Sequence, residues 1–495
     1  MRIPWYARTA GVAGAAATAA ILFGAPSAYA NVSLTQIGAD TFTNSTSQHA
    51  TQVEPDTYAF GSTIVMASQT GRFNDGGASD IAFATSTDNG ATWSRGNLPG
   101  ITKFSGGGAY DRVSDAAVAY DARHSVWMIS GLPLLESGGV HGAAITTSRS
   151  TDGGHTWGNP VITATGSDLD KNWIACDNTA TSPFYGHCYT EWDDHANGNR
   201  IKMSTSTDGG LTWGAALNIG GNATGIGGQP VVQPGGTVVV PMASATETSI
   251  RAFRSTTGGA SWTSAVTIAS VSSHTVPGGL RSGPLPSAEV DGSGKVYVVW
   301  QDSRFRGGSR DDIVMSTSTD GATWTTVVRI PIDATSSTVD HFIPGLAVDR
   351  ATSGSTAHLG LTYYFYPNSS CSASTCQLDV GFISSANGGS TWSAPTQLTG
   401  PMTLSWLANT TQGRMVGDYI STSFDANGRA HGAFASATAP SGSTFNEAIF
   451  TPATGLTAAA GTAAVQTSLI PQSIDAALGD LADRVAIALG IEPIG

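Results

Sequence analysis

A short motif that ends in tryptophan occurs six times along this chain. Its copies are STDNGATW, STDGGHTW, STDGGLTW, STTGGASW, STDGATW and SANGGSTW, beginning at Ser86, Ser150, Ser206, Ser255, Ser318 and Ser385. The tryptophans of successive copies lie 49 to 68 residues apart, which is typical of an array built from one repeated supersecondary unit. The spacing therefore constrains the architecture before any single residue is considered.

Each copy has the composition of a tight turn between two strands. An aspartate such as Asp88 can accept bonds from nearby backbone N–H groups, and the glycines tolerate the positive φ of such turns. Thr257 and Asn387 replace the aspartate in two copies, and the copy at Ser318 is one residue short, so we expect these turns to be weaker. The closing Trp is expected to pack into the core.

The motif resembles the Asp box, or BNR repeat, of sialidases and related β-propellers. The resemblance implies that each copy joins the third and fourth strands of a four-stranded blade and lies on the rim, away from an active site. We therefore interpret all six copies as structural. The predicted fold class is all-β, a β-propeller of four-stranded blades.

Seven blades fit the chain better than six. An apolar strand, a turn and a second apolar strand precede each motif, and a seventh such pair follows the last motif from Val416. Residues 31–453, the predicted propeller, leave the seventh unit with three strands, the third beginning at Phe445. The strand from Asn31 is expected to supply the fourth and so remove free sheet edges. Six blades, the usual number in sialidases, is the alternative.

Residues 1–30 have the pattern of an export signal. Arg2 and Arg8 supply positive charge, residues 10–23 are an apolar run, and Ala28-Tyr29-Ala30 is a small-residue cleavage site. Removal of Arg2 and Arg8 from 23 basic residues leaves 21 against 36 acidic ones. We predict a secreted, extracellular protein, without membrane insertion and with no nucleic acid among its partners.

Four cysteines lie in two close pairs, Cys176 with Cys188 and Cys371 with Cys376. Because an exported chain meets oxidising conditions, we expect two local disulfides; a metal site is the alternative, but no spacing supports zinc. No cofactor is predicted. A structural Ca²⁺ remains an option at the acidic stretches 191–194 and 311–312, although paired surface acids are usually just solvated.

The resemblance also implies where a ligand would bind. Propellers place ligand sites at the mouth of the central channel, on loops that enter the innermost strands or leave the second ones. Sialidases bind the sugar carboxylate with arginines, attack with a Tyr activated by a Glu, and use an Asp as acid and base. The catalytic candidates here are Asp115, Glu289 and Tyr419. The substrate-binding candidates are Arg72, Arg281, Arg304 and Arg414.

Glu289 with Arg304, fifteen residues apart across one hairpin, is the best single match to the family pattern. It looks like the family's base glutamate followed by its second arginine. The Phe-Arg-Ile-Pro signature of the first strand is absent, so Arg72 is the nearest substitute for the first arginine. Either Arg350 or Arg414 could serve as the third, and Tyr363 and Tyr364 rival Tyr419 as the nucleophile.

Three functions compete on this pattern. The leading hypothesis is an exo-acting glycoside hydrolase of sialidase type, acting on terminal acidic sugars of glycans. A non-catalytic propeller that binds glycans or proteins is the second, because the arginine set is incomplete. The third is a polysaccharide lyase, for which His141, His195 and His341 are among the available bases. A glycan or polysaccharide is the expected partner of what we expect to be a monomer.

Residues 454–495 differ in composition from the rest and form an Ala-rich tail. Ile474, Leu478, Leu481 and Val485 recur at helical spacing between Ser473 and Gly490. This pattern predicts a short amphipathic helix, either packed on the propeller or mobile.

Overall fold

The computed structural model describes residues 32–491, and the predicted export signal lies outside these residues. Within them, short antiparallel strands alternate with tight turns, and one α-helix, α1 (Gln472–Leu489), follows the last strand. The strands are rich in β-branched and aromatic residues, as in VYVVWQD (Val296–Asp302), which favour a buried pleated sheet. The predicted all-β class is confirmed.

The strands group into seven successive antiparallel meanders, which we number in chain order. The first four have these strands: meander 1, Gln52–Phe60, Thr63–Arg72, Ala78–Ser86 and Ser94–Asn97; meander 2, Arg112–Asp121, Val126–Leu135, Ala144–Ser150 and Val161–Thr165; meander 3, Leu169–Cys176, Cys188–Asp194, Arg200–Ser206 and Leu217–Asn218; meander 4, Val231–Val232, Val238–Ala243, Ser249–Ser255 and Val266–Ser270. A single pairing of Ala78 with Val113 joins the first two meanders into one sheet.

The remaining three meanders have the same order of strands. They are meander 5, Ser287–Val290, Val296–Asp302, Asp312–Ser318 and Val328–Arg329; meander 6, Asp340–Val348, Leu359–Tyr366, Gln377–Ser385 and Thr396–Thr403; meander 7, Ser421–Phe424, Arg429–Ala437 and Glu447–Pro452. Short additional elements are the strands His141–Gly142, Thr391–Trp392, Ala408–Thr410 and Gly413–Met415, and the 3-10 turns His195–Asn197, Pro277–Gly279, Arg304–Arg306, Gly354–Thr356 and Leu404–Trp406.

The fourth strand of meander 7 comes from the other end of the chain. Leu34–Gln36 pairs antiparallel with Glu447–Pro452, with Leu34 opposite Pro452 and Gln36 opposite Phe450. The backbone N–H of Ile37 continues the ladder to the carbonyl of Ile449 at 2.8 Å. The predicted sharing of an N-terminal strand is therefore confirmed.

Apolar cores lie between consecutive meanders. Phe83 and Trp127 belong to the cluster shared by meanders 1 and 2, for example. The cluster that joins meanders 6 and 7 around Phe434 also contains Met66 of meander 1. Each meander thus buries both of its faces against its neighbours.

All six Trp motifs connect the third and fourth strands of their meanders. Asp88 accepts the backbone N–H four residues ahead at 2.9 Å. Asn387 makes the same bond at 2.9 Å, and the Thr257 hydroxyl makes it at 3.0 Å. The copies without aspartate therefore keep the turn, because a side-chain oxygen remains at the same position.

The tail passes meanders 7, 6, 5 and 4 in that order: it pairs with the second strand of meander 7 and with the Trp motif of meander 6, and it reaches the outermost strand in meanders 5 and 4. Leu456–Thr457 pairs with meander 7, Ala463–Ala464 with meander 6 and Gln466–Thr467 with meander 5. Helix α1 then packs on Val266–Ser270 of meander 4. We call residues 456–489 the strap; it covers strand edges that would otherwise be open.

Both predicted disulfides are present. Cys176 is bonded to Cys188, its direct partner across the first two strands of meander 3. Cys371 is bonded to Cys376 in a surface loop of meander 6.

Candidate functional site

Four of the seven first strands carry a β-bulge near their N-terminal ends. In three of them a charged residue with positive φ stands at the irregularity: Glu54 (φ 56°), Asp115 (φ 50°) and Lys171 (φ 29°). Ile343 (φ 50°) occupies the same position in meander 6. A bulge turns its extra side chain out of the regular alternation, so these three charges are directed toward one another.

These side chains form what we call the charge cluster: Glu54, Asp115, Lys171, Arg281 and Asp418. Lys171 Nζ lies 2.7 Å from Asp418 Oδ2, 3.1 Å from Asp115 Oδ1 and 3.6 Å from Glu54 Oε1. Arg281 binds Asp418 through both ends of its guanidinium, at 2.7 and 2.5 Å. Five meanders or their entry loops thus contribute to one buried ionic network.

The cluster holds its carboxyl groups in different protonation states. Burial, reinforced by Asp418 and Asp115 and opposed by Lys171, raises the pKa of Glu54 to about 7. Burial acts on Asp418 too, but Arg281 and Lys171 outweigh it and hold the pKa of Asp418 well below its usual range. Glu54 is therefore a proton donor near neutral pH, whereas Asp418 is a fixed negative charge.

Arg72, at the end of the second strand of meander 1, is a buried cation of a different kind. Its NH1 donates to the Gly77 carbonyl at 2.6 Å and its Nε to Met415 Sδ at 3.3 Å. It forms no ion pair with any carboxylate of residues 32–491. Burial and the neighbouring Arg281 lower the pKa of Arg72 to about 10. An external anion beside Arg72 would relieve that electrostatic cost.

A cavity of about 240 Å³ opens onto these groups. Arg72, Glu54, Asp115, Lys171 and Arg281 all line it. Asp170, Asp168, His141, His195 and the loop 410–412 complete the wall. Its volume lies just below the usual range of ligand pockets, so it suits one small ligand rather than a long chain.

Tyr419 lies beside the cluster but is not activated there. Its hydroxyl donates to the Ala116 carbonyl at 3.1 Å, and its ring packs edge-on against Trp173 at 5.0 Å. Burial, with Glu54 and Asp115 nearby, raises the pKa of Tyr419 well above its usual range. This arrangement holds the phenol neutral, which is unfavourable for a nucleophile.

The structure does not bring Glu289 and Arg304 together. Glu289 pairs with Tyr297 near the hairpin turn of meander 5, whereas Arg304 follows the far end of that hairpin. Seven residues of extended chain separate the two levels, roughly 23 Å. Arg304 instead binds Asp302 and Asp475, at 2.8 and 2.5 Å.

Glu289 belongs to a second, larger cavity of about 530 Å³ at the hairpin-turn ends of the first strands. There it lies 3.4 Å from Arg350, which also donates a hydrogen bond to the Tyr58 hydroxyl oxygen at 2.6 Å. Arg350, and not Arg304, is therefore the arginine that forms an ion pair with Glu289. Glu289 and Asp115 stand at opposite ends of the first strands and cannot act on one bond.

Arg414 acts through its backbone. Its carbonyl accepts the N–H of Arg281 at 2.7 Å, and its guanidinium donates to the Leu407 carbonyl at 2.8 Å. It therefore positions the loop that carries Arg281. Among the predicted site residues, Asp115, Tyr419, Arg72 and Arg281 come together, and Arg414 supports them from the next loop.

Sequence reasoning missed Glu54 and Asp170. A signal for Glu54 was present, because Pro55 follows it within a strand, and a proline inside a strand marks an edge or a bulge. The same signal occurs at Ile343-Pro344, the bulge of meander 6. Asp170, beside Lys171, had no such marker.

The histidine and acidic candidates are also separated in space, because some line the smaller cavity and others are buried elsewhere. His341 is buried 3.9 Å from Asp312, and burial lowers the pKa of His341 to about 4, while His141 and His195 line the smaller cavity. Arg306 and Arg329 lie 2.7 and 2.8 Å from Asp312, where a cation would have to bind. Burial raises the pKa of Glu191 and Asp193 well above the usual range, which opposes the ionisation of both carboxyl groups.

The meanders, the Trp motifs and their turn geometry are those of Asp-box repeats. Residues 136–344 match the family described as BNR repeat-like domain, which confirms the resemblance seen in the sequence. A search of curated proteins found no match. No helix within residues 32–491 is long and apolar enough to cross a membrane.

Several solved structures are similar at low identity. A protein of unknown function from Dyadobacter fermentans DSM 18053 is 15% identical with a TM-score of 0.45, over 71% of this chain and 98% of that one. The Hadza microbial sialidase Hz136 is 15% identical with a TM-score of 0.40, over 82% and 66%. The intramolecular trans-sialidase from Ruminococcus gnavus is 13% identical with a TM-score of 0.39, over 81% and 93%. Function therefore has to be argued from the site.

Proposed function

We propose that the protein is a secreted seven-bladed β-propeller that binds an acidic sugar residue of a glycan in the smaller cavity and hydrolyses its glycosidic bond. The seven meanders are the blades, and the charge cluster lies where their first strands converge. The apolar cluster that joins Phe434 of meander 7 to Met66 of meander 1 supports a closed ring. The two disulfides and the export pattern of residues 1–30 support action outside the cell.

The observation that carries the proposal is the pairing of Arg72 with Glu54 in one cavity. Arg72 is a buried cation that lacks a carboxylate partner among residues 32–491, so a sugar carboxylate fits beside it. Glu54, with a pKa of about 7, is a carboxylic acid able to protonate a leaving oxygen. Arg72 therefore binds the carboxylate of an anionic substrate, and Glu54 protonates the leaving oxygen of the same substrate.

The chemistry needs one more carboxylate, and Asp115 supplies it. Glu54 gives its proton to the glycosidic oxygen as the bond to the anomeric carbon breaks. A water oxygen bonds to that carbon, and its proton passes to Asp115, held by Lys171 at 3.1 Å. Asp115, the second carboxylate, then gives up this proton, and its transfer returns Glu54 to the protonated form. Tyr419 packs beside this pair and forms no bond to substrate.

The test is a panel of acidic and neutral aryl glycosides. We expect turnover of acidic members, with kcat/KM falling as pH rises through about 7 because Glu54 loses its proton. Glu54→Gln should lower kcat by roughly 10²–10⁴-fold, the usual worth of a general acid. Arg72→Lys should raise KM for acidic glycosides about tenfold, since one ammonium cannot replace a two-pronged guanidinium.

The matched control is Glu289→Gln in the larger cavity, which should leave kcat and KM unchanged. Loss of activity in that variant would move the site to the other end of the first strands. Absence of turnover across the whole panel by the unmodified protein would overturn the hydrolase proposal.

A non-catalytic glycan-binding propeller is the second candidate. It is favoured by Tyr419, whose phenol is neutral and engaged, and by the internal ion pairs of Lys171 and Arg281 with Asp418 and of Lys171 with Asp115. Calorimetric binding of an acidic glycan that persists in Glu54→Gln and is lost in Arg72→Ala, without turnover of any substrate, would establish it.

A further inference from the structure

Helix α1 is amphipathic in the opposite sense to an ordinary surface helix. Its buried positions are Asp475, Gly479, Asp483 and Ala486. Its apolar side chains point away from the sheet. A surface helix normally places its apolar stripe on the core and its charges in water.

The acidic face is fixed by polar contacts to meander 4 and its neighbour. Asp483 accepts hydrogen bonds from Ser244 at 2.7 Å, Thr246 at 2.9 Å and Ser249 at 2.8 Å, and a further one from Thr248. Asp475 accepts from Ser270 and Arg304, both at 2.5 Å. The orientation of the helix is therefore specified by directional bonds.

Gly479 lets the helix approach the sheet closely. A methyl group there would lie 3.1 Å from Ser249 Cβ and 3.1 Å from Thr267 Cγ2, tighter than ordinary contact. Together with Asp475 and Asp483 it makes a face that only this edge of meander 4 fits. The helix cannot turn its apolar face inward without losing all three contacts.

The outward face is a narrow apolar stripe. Ile474 is 53% exposed, Leu478 44%, Leu481 58% and Val485 50%. Their spacing of four, three and four residues is the a/d pattern of a helix that packs against another helix. Membrane-surface helices instead carry many Lys or Arg residues on the polar face, and here that face is acidic and buried.

We propose that this stripe pairs with the same stripe of a second copy, as an antiparallel helix pair about a two-fold axis between Leu481 and Ala482. An isologous contact of this kind needs a self-complementary surface. Antiparallel packing places Ile474 beside Leu489 of the second copy and Leu478 beside its Val485.

Charge favours this pairing too. Arg484 and Asp480 lie on the same flank of the helix, and both are exposed. In an antiparallel pair like flanks face each other, so each Arg484 lies near Asp480 of the second copy, and this happens twice by symmetry. A parallel pair would not bring them together.

The contact is small, which sets its strength. An 18-residue helix is about 27 Å long, so the stripe covers less area than the roughly 800 Å² per partner of a standard interface. Because the sheet already orders the helix, no folding cost is added on association. We therefore expect a reversible dimer with a dissociation constant in the micromolar range.

Sedimentation of the mature full-length protein from about 1 to 200 μM tests the pairing. Leu481→Glu places two carboxylates together beside the axis and should weaken dimerisation at least tenfold. Arg484→Asp, which touches no residue of meander 4, should weaken it several-fold. Asp480→Asn, which keeps an acceptor for the Thr267 hydroxyl of meander 4 at 2.6 Å, should weaken it by a similar factor.

Each variant must keep its circular dichroism spectrum and melting temperature, so that loss of dimer is not loss of fold. A monomer at 200 μM, or a dimer that Leu481→Glu leaves unchanged, would overturn the proposal. Co-sedimentation of monomers with phosphatidylcholine vesicles, abolished by Leu481→Glu, would overturn it in favour of a lipid surface.

Discussion

Asp418 is the residue on which the ionic network depends. It receives both Lys171 and Arg281, while its own backbone N–H donates to Glu54 Oε1 at 3.0 Å. A buried pair of this kind adds little net stability compared with apolar packing, but removing one partner leaves a buried charge without compensation. The cluster therefore tolerates change at Asp418 worse than at any exposed acid.

Asp418→Asn should lower the free energy of unfolding by about 3–5 kcal/mol, the usual cost of breaking a buried ion pair. Two buried cations, Lys171 and Arg281, then share Glu54 and Asp115. Urea denaturation at pH 7 measures the loss. The matched control is Asp88→Asn, the residue that nature already uses at Asn387, which should cost less than about 1 kcal/mol. Equal losses of unfolding free energy in the two variants would contradict the assignment of Asp418 as the residue on which the ionic network depends.

The site was only partly predictable at the level of residues. Asp115, Arg72 and Arg281 could be found because loops at the ends of first and second strands are where a propeller binds ligands. Glu289 and Arg304 matched the spacing of a family motif. Spacing along the chain does not show, however, that the length of a hairpin strand lies between the two residues. Glu54 was hidden because a bulge, not strand alternation, sets its direction.

At the level of elements, the N-terminal strand supplies the fourth strand of the sheet of meander 7. Leu34–Gln36 covers the outer edge of Glu447–Pro452, and Ile37 extends the ladder. A three-residue strand gains little by itself. Its worth lies in covering backbone groups of meander 7 that would otherwise be an open edge.

Thr35→Pro should destabilise the protein by about 1–3 kcal/mol, because proline removes a ladder N–H and restricts φ. Thr35→Ala, which keeps the backbone bond, is the control and should cost under about 1 kcal/mol. Differential scanning calorimetry compares the two. Equal melting temperatures for both variants would mean that this pairing does not contribute to stability. Light scattering on warming should also show earlier aggregation of the proline variant.

The strands and turns were predictable because the Trp motif repeats and each copy has the same neighbours. The existence of α1 followed from its apolar spacing. Its orientation did not, since the same spacing normally predicts that Ile474 and Leu481 are buried. Only the placement of Ser and Thr hydroxyls on meander 4 shows why Asp475 and Asp483 face inward instead.

At the scale of the whole molecule, many carboxyl groups are buried without enough cations. Burial raises the pKa of Asp56, Glu247 and Asp379 to about 7, as it does for Glu54. Each of these groups ionises in the unfolded chain near pH 4 but stays protonated in the folded one up to about pH 7. The stability they contribute is present at low pH and is lost as pH rises through about 7.

We therefore expect the free energy of unfolding to fall between pH 4.5 and pH 8, by about 1.4 kcal/mol per pH unit for each proton difference that persists. Asp379→Asn, which keeps an acceptor for Gln397, should flatten this slope and be more stable than the unmodified protein at pH 8. Asp88→Asn is the control. Burial scarcely affects Asp88, and hydrogen bonds, chiefly from Thr92, lower its pKa to about 2, so its curve should stay parallel. Guanidinium titrations at constant ionic strength measure both, and a flat profile for the unmodified protein would contradict the expectation.

The pairing of Leu34–Gln36 with Glu447–Pro452 also has a consequence in time. The two strands are more than 400 residues apart in the chain, so the earlier strand must wait until the later one has been synthesised. Contacts this distant in sequence form slowly, because the entropy cost of closing a long loop must be met before the contacts contribute stability. Until then meander 7 exposes an unsatisfied edge to any strand within reach. The interval before the ends meet is when this molecule is most open to mispairing, and a chaperone would be needed most.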